Sequence, residues 1–406
     1  MTRHLHGPAR RVLIVSNGHG EDAVGARLAA ELLGARRDLE LLALPLVGRG
    51  AAYEGLAPPL GPRREMPSGG FMLTSPGVLA QDLRAGFAAM SREQYRALAA
   101  ARPDAVLVCG DVYALWAALR FSEAPVWQVQ PLVSVRYQEG MTPLERLGRL
   151  NRTTVDGFVG VERRLMRRAE RVWARDEPSA AWLRAHGVPG AASAGNVMMD
   201  LAATPELDLR ELLDGRPVLA LLPGTRRDHH DSLPLMLSTL DALGGRMQAL
   251  AALPASLALG VRLPPGWSFA APGAAEHALG VRLSAVSLRG QRVPFIEQGF
   301  VALLHSATVA LGTSGTGNEQ AAGLGVPVVG FPTRGPQYLP AFARAQRRLL
   351  GAALTLSGRE PRVIAASVLG LLDGPARVRA AQEGRARLGP PGAARSITRQ
   401  LVDDWS

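Results

Sequence analysis

Lysine is missing from this chain: all 46 basic residues are arginine. Cysteine occurs once, at Cys109, which excludes an internal disulfide and fits a reducing compartment. Aromatic residues make up only 5% of the chain. With no zinc-ligand spacing and no aromatic-rich RNA-binding strand, nucleic acid is not an expected partner. No apolar run approaches the roughly 20 residues that span a bilayer. The opening stretch, MTRHLHGPARRVLIVSN, passes from basic residues into a strand. It lacks the apolar region and cleavage site of a signal peptide, so the expected location is the cytoplasm. No Asp-x-Asp pair or histidine cluster offers a metal site. His229 and His230 are adjacent, so on a helix they point about 100° apart and read as solvated.

What is present fits two globular domains. The chain has 406 residues, 47% of them hydrophobic and 20% charged, too long for one ordinary core. A net charge of +11 favours acidic partners such as an anionic membrane surface or a phosphorylated substrate. Strand-like runs fall at 12–16, 39–46, 105–109, 125–130, 156–160, 172–174, 218–222, 308–311 and 326–331. Helical stretches fall between them, at 22–33, 78–101, 112–121, 178–186, 232–243, 297–305, 317–324 and 339–349. This alternation predicts an α/β protein with parallel sheets covered on both faces. A polar, proline-bearing stretch at 198–217 divides the chain. The expected domains are 1–200 and 216–388, and a terminal helix at 389–406 is free to pack back on the first.

Three stretches carry chemistry. VLIVSNGHGEDAVGARLAAELL, at 12–33, reads as strand, tight loop and helix, a layout that holds phosphate at a helix N-terminus. Its loop nevertheless carries two acids, Glu21 and Asp22, beside Gly18 and His19. LALLPGTRRDHHDSLPLML, at 219–237, ends a buried strand in Gly224, Thr225 and Arg226. There a close backbone approach, a hydroxyl and a guanidinium fork suit phosphate. VALGTSGTGNEQAAGLGVPVVGFP, at 309–332, places Ser314, Gly315, Thr316 and Gly317 before a short helix. Free N–H groups and the helix dipole favour a diphosphate there, and Glu319 or Gln320 on the first turn is placed for ribose hydroxyls. Each loop also reads as an ordinary capped turn.

Together these stretches resemble the lipid-A-disaccharide synthase family, and more weakly the glycosyltransferase that builds the peptidoglycan lipid intermediate. LLPGTR is similar to the family's Leu-Leu-Pro-Gly-Ser-Arg, and TSGTGNEQ carries its Ser-Gly-Thr. EDAVGARL matches at Asp22, Gly25 and Ala26. PDAVLVCGDVYAL sits where the family has a strand ending in a catalytic Asp, here Asp111. VQPLVSVRYQ matches through Pro131 and Arg136, and HGVPGAASAGNVMMD through Gly195 and Asp200, with Asn196-Val197 in place of His-Pro. VPFIEQGF is similar to the segment lining the nucleobase pocket in the peptidoglycan enzyme, which marks Phe295 and Ile296. The family's ribose-binding Glu falls on Gln320, with Glu319 one position earlier, and its Trp-x-Trp pair has no counterpart beside Arg136.

The resemblance implies a GT-B glycosyltransferase: two Rossmann-like domains facing across a cleft, the second binding a UDP-sugar and the first a lipid or lipid-linked acceptor. No metal or other cofactor is implied, because helix dipoles and arginines neutralise the departing diphosphate. Candidate bases are Asp111, His19 and Asp22. Both acids also fit helix caps, and His19 fits an ordinary loop hydrogen bond. Glu21 or Asp22 is placed to hold acceptor hydroxyls. Phe71, Met72 and Leu73 follow two glycines, and VERRLMRRAERVWAR presents Arg163/Arg167 and Arg164/Arg168 in two rows. These features fit peripheral contact with the anionic inner face of the cytoplasmic membrane, or a solvated face. A UDP-sugar 2-epimerase and a non-catalytic nucleotide-sugar or lipid-binding protein are the alternative readings. Oligomerisation is left open.

Overall fold

The computed structural model describes residues 10–66, 76–142, 145, 157–335 and 337–405. The chain divides into two compact units, Met1–Leu201 with Pro390–Ser406, and Ala202–Gly389.

The first unit is built on six parallel strands: β1 (Arg11–Ser16), β2 (Glu40–Pro45), β3 (Ala105–Cys109), β4 (Val126–Gln130), β5 (Arg171–Ala174) and β6 (Ala191–Ser193), in the order β2-β1-β3-β4-β5-β6. Val12 pairs with both Leu41 and Ala105, so β1 is central. Successive side chains of a strand point to opposite faces, and both faces are covered. Val12 and Ile14 join Leu28, Leu107 and Trp405 on one side, while Leu13 and Val15 join Val106, Val108 and Leu115 on the other. That is why these strands read as continuous apolar runs. The terminal helix, Ala393–Trp405, closes the first of these faces. Ile397, Leu401 and Trp405, spaced four apart, are buried, and Trp127 Nε1 donates to Asp404 Oδ2 at 3.0 Å. Asp200, matched by the resemblance, caps this helix by accepting from Ala394 N at 2.8 Å.

The second unit has eight strands: β7 (Val218–Leu222), β8 (Gln248–Ala252), β9 (Trp267–Ala270), β10 (Ser284–Ser287), β11 (Arg292–Ile296), β12 (Val309–Gly312), β13 (Val328–Gly330) and β14 (Leu354–Leu356). Their order is β14-β13-β12-β7-β8-β11-β10-β9. All pairs are parallel except those made by β10, which runs antiparallel to β9 and β11 at the edge.

Several expectations change. The segment at 156–160 is not a strand: Gly160 opens the helix Gly160–Met166, and residue 156 lies outside the described residues. The helix expected over 78–101 is two, Pro76–Arg84 and Phe87–Ala101, parted at Gly86 with φ of 89°, a conformation that favours glycine. The basic helix stops at Met166, and Arg171 already belongs to β5. Arg163 and Arg167 do share one side, both reaching His186 O, but they are engaged with the neighbouring backbone there. Arg167 Nε donates to Gly187 O at 2.7 Å, Arg168 to Leu119 O at 3.3 Å, and Arg163 lies over the Trp182 ring at 5.4 Å. Phe71, Met72 and Leu73 lie outside the described residues. Among the described residues no helix is long and apolar enough to cross a membrane.

In each sheet the strand order reverses at the first strand of the unit. In the first unit β2 and β3 flank β1, and in the second β8 and β12 flank β7. Open parallel sheets place ligands outside the carboxyl ends of their strands at such a reversal. The loops after β1 and β3, and after β7 and β12, are therefore the places to look.

Candidate functional site

At the reversal of the second unit, β7 runs fully buried to Leu222 and leaves through Pro223 and Gly224, whose φ is 76°. Beside it β12 ends at Gly312. Thr313 ties the two exits together, its N donating to Leu222 O at 3.0 Å and its Oγ1 to Pro223 O at 3.2 Å. Ser314 then caps the helix Gly315–Leu324, accepting from Gly317 N at 3.2 Å. The N–H groups of Gly315 and Thr316 remain at the helix start, where the dipole is positive. Gly312 is required by space, and Gly317 is tightly placed. A Cβ on Gly312 would meet Asn318 Oδ1 at 1.9 Å, and one on Gly317 would lie 3.0 Å from Ser314 Oγ.

Thr225 and Arg226 are exposed on the other side of this loop. The next residue but one, Asp228, is buried and organises the surroundings. Its carboxylate accepts from Thr333 Oγ1 at 2.5 Å, Tyr338 N at 3.0 Å and Gln337 N at 3.2 Å. With its amide oxygen turned toward the guanidinium, Gln337 accepts from Arg226 at 2.5 Å. Asp231 takes a two-pronged bond from Arg359, at 2.7 and 2.8 Å, which holds its carboxyl below the ordinary range even though burial opposes this. Behind the glycine loop, Asn318, Tyr338 and Gln346 form a buried triangle with contacts of 2.7–3.2 Å. Gln346 also donates to Gly315 O at 2.7 Å. The backbone that presents Gly315 and Thr316 is thus braced from beneath.

Four readings are corrected here. The helix expected from Asp231 or Ser232 begins at His229. His229 is buried, with Nδ1 2.6 Å from Arg226 O, and stacks on His230 rather than being solvated. The helix expected from 317 begins at Gly315, so buried Glu319 and Gln320 fall on its second turn, not its first. Phe295 is wholly buried and packs against Phe269 in the core, so its ring serves packing. Ile296, also buried, ends β11 opposite Ala252.

The reversal of the first unit has another chemistry. Gly18, with φ of 125°, opens the helix His19–Ala35. Asp22 is therefore not the cap: it lies in the first turn, its N donating to Gly18 O at 2.8 Å. Its side chain is buried against a short chain of hydroxyls. Tyr53 donates to Ser16 Oγ at 3.0 Å, and Ser16 Oγ donates to Asp22 Oδ1 at 2.6 Å. Burial pushes the Asp22 carboxyl up to about 6, against the Ser16 bond and the nearby His19. Exposed His19 and Asp22 both lie over the backbone of Gly48.

Across the reversal, Asp111 caps the helix Val112–Phe121, accepting from Tyr113 N at 3.0 Å and Ala114 N at 3.2 Å. Asn17 Nδ2 lies 3.3 Å from both of its oxygens. Burial raises its pKa, while these bonds oppose the rise. Glu21 is buried, its Cγ beside Gly110. The loop after β1 thus brings Gly18, His19, Glu21, Asp22 and, through Asn17, Asp111 to one place. Arg136 and Asn196 lie after β4 and β6 instead. Arg136 pairs with Glu139 at 3.0 Å. Asn196 is buried and caps Val197–Asp200 through Met198 N at 3.1 Å.

Sequence reasoning missed Asp228, Gln337, Gln130 and Glu162. Glu162 is buried and accepts from Gln130 Nε2 at 2.7 Å. The available signal was the row Phe158, Glu162, Met166, spaced four apart and buried throughout. Among the described residues no group of three or more His, Cys, Asp or Glu is placed to hold a metal ion.

No protein-family model matches the sequence, and no curated protein sequence matches it. Solved structures do. The UDP complex of MnaA from S. aureus aligns over 97% of this chain and 96% of its own, with a TM-score of 0.61 at 14% identity. The UDP-GlcNAc 2-epimerase of Neisseria meningitidis bound to UDP-GlcNAc aligns over 97% and 100%, at 0.55 and 16%. The spinosyn forosaminyltransferase SpnP aligns over 97% and 99%, at 0.55 and 17%. Identities this low speak to architecture alone. The architecture they share with this chain is the GT-B fold, two Rossmann-like α/β domains.

Proposed function

We propose that this chain is a UDP-sugar-dependent hexosyltransferase that passes a sugar to a lipid or lipid-linked acceptor without a metal ion. The observation that carries the reading is the braced anion cradle of the second unit: Gly224, Thr225 and Arg226 beside the helix start at Ser314, Gly315, Thr316 and Gly317. A leaving diphosphate develops negative charge. Preorganised N–H groups and a guanidinium meet that charge without reorganising. Glu319 or Gln320 is the proposed ribose contact, and Ile296 marks the edge of the base site.

Acceptor activation falls to the first unit. Asp111 is the proposed base for the acceptor hydroxyl, with His19 and Asp22 as its alternates, and Glu21 and Gly18 form the wall for the acceptor sugar. A base near a positioned hydroxyl contributes about 10²–10⁴ in rate. The lipid character of the acceptor and contact with an anionic membrane rest on the resemblance to lipid-A-disaccharide synthases.

A second reading, a UDP-sugar 2-epimerase, is favoured by the aligned structures carrying that name and by the gathering of acids in the first unit. One experiment separates the two. The protein is incubated with labelled UDP-GlcNAc, alone and with a bacterial lipid extract, with and without a chelator. Label entering lipid with UDP release, unaffected by the chelator, is the expected result. Conversion of the sugar without lipid establishes the epimerase, and no turnover in any arm removes both readings for this donor.

A further inference from the structure

Glu162 is a buried acid that the proposed reaction does not use. It sits on the helix Gly160–Met166, which packs against the helix that Asp111 caps. Only 1% of its surface is exposed. Oε1 accepts from Gln130 Nε2 at 2.7 Å, while Oε2 finds no partner among the described residues. Gln130 itself is fixed, its Oε1 accepting from Leu132 N at 3.1 Å. Besides Gln130 only the backbone N–H of Val159 eases its charge, and no cation pairs with it, which is too little for a carboxylate in a dry site. A neutral acid fits better, with the proton on Oε2.

The surroundings agree. The packed helix carries Tyr113 and Arg120 behind its cap Asp111, and the helix of Glu162 itself carries Arg163 and Arg164. Arg163 is engaged with His186 O and the Trp182 ring, Arg164 is exposed, and Tyr113 bonds to Tyr95 and Ser91. Asp111 alone among these acts on the Glu162 charge. The helix of Glu162 packs on the helix whose N-terminus Asp111 caps, and two carboxylates that feel each other's charge do not both ionise readily.

We propose that Glu162 is a positioning residue for Asp111: it keeps its own proton, so that the pair carries one negative charge and that charge resides on Asp111. The inference rests on the reading of Asp111 as the base. Burial pushes the Glu162 carboxyl up to about 8, with the Asp111 charge acting in the same direction and the Gln130 bond against it. The consequence for stability has a definite sign. An acid whose pKa is raised by folding favours the folded state most below its ordinary value near 4.5. That advantage is lost as pH climbs toward 8.

The test compares the full-length protein with Glu162→Gln, which mimics the neutral acid and cannot ionise. Thermal unfolding from pH 5 to pH 9 should show the Gln variant gaining on the native protein by several degrees as pH rises. Glu162→Leu, equally unable to ionise, should show the same pH trend if the Gln variant does not fold. In the turnover assay the alkaline limb of the pH–rate profile should move to higher pH in Glu162→Gln, and Glu162→Ala should not reproduce the gain in rate. A Tm difference that is flat with pH, or that favours the native protein at high pH, overturns the proposal. If the Tm trend appears but no turnover is found with any donor, Glu162 holds its proton as described and it is the reaction assigned to Asp111 that fails.

Discussion

The two strand-order reversals share a topology and differ in charge. In the second unit the reversal is lined by glycine backbone, a helix start and Arg226; of its buried acids, Asp228 is spent on the Thr333–Tyr338 loop and Glu319 lies back on the second turn of the helix. In the first unit the same position holds Glu21, Asp22 and Asp111, all withdrawn from water to varying degrees. A parallel sheet supplies a place at each reversal, and the residues decide what it takes. On the proposed function, an anion belongs in the one, and hydroxyl groups or a proton in the other.

That division is most open to attack at Asp111. Asp111→Asn should lower turnover by about 10²–10⁴, because Asn caps a helix nearly as well as Asp but is no base. Thermal melting should stay near that of the native protein. A fall in UDP affinity in this variant would break the comparison.

Asp22 offers the next largest effect. Its carboxyl is raised from 3.8 to about 6, so it favours the folded state below pH 4 and loses that advantage as pH rises through 6. Relative to Asp22→Asn, the native protein should lose up to about 3 kcal/mol over that interval, read by denaturant unfolding at each pH. A constant difference would mean that the acid is not shielded from water.

Gly312→Ala probes the other reversal. Asn318 has no room to yield to the new methyl, and overpacking of this kind costs about 1–3 kcal/mol. UDP binding should weaken along with melting, since Asn318 braces the loop. A comparably destabilised Gly25→Ala, whose methyl would meet Tyr53 OH at 2.0 Å, should leave UDP binding alone. The smallest effect is expected at Asp404→Ala, which loses bonds to Trp127 and Arg171. It should cost about 1 kcal/mol in a chemical melt and leave UDP affinity unchanged.

Much of this was legible before any coordinates. Long apolar strands such as Val12–Val15 and Leu219–Leu222 announce themselves because both faces are buried. Short strands do not: β6 is Ala-Ala-Ser, β10 is Ser-Ala-Val-Ser, and β9, Trp-Ser-Phe-Ala, is only four residues long. Helix starts at His19, His229 and Gly315 came earlier than expected because glycine and non-bonding caps precede two of them. The loops proposed for phosphate were readable because glycine and arginine requirements are local. Asp228 was not, since its partners lie more than a hundred residues away. Glu162 was hidden among arginines, whose rows drew the eye to a surface when the buried row ran through Phe158 and Met166.

Calorimetric titration of UDP into the native protein, Arg226→Ala and Asp111→Asn tests the central claim most directly. The native protein should bind. Arg226→Ala should lose roughly 10- to 100-fold in affinity, the worth of a charge-assisted bond to phosphate, and Asp111→Asn should bind as the native protein does. No binding to the native protein, or affinity unmoved by Arg226→Ala and reduced by Asp111→Asn, would contradict the account.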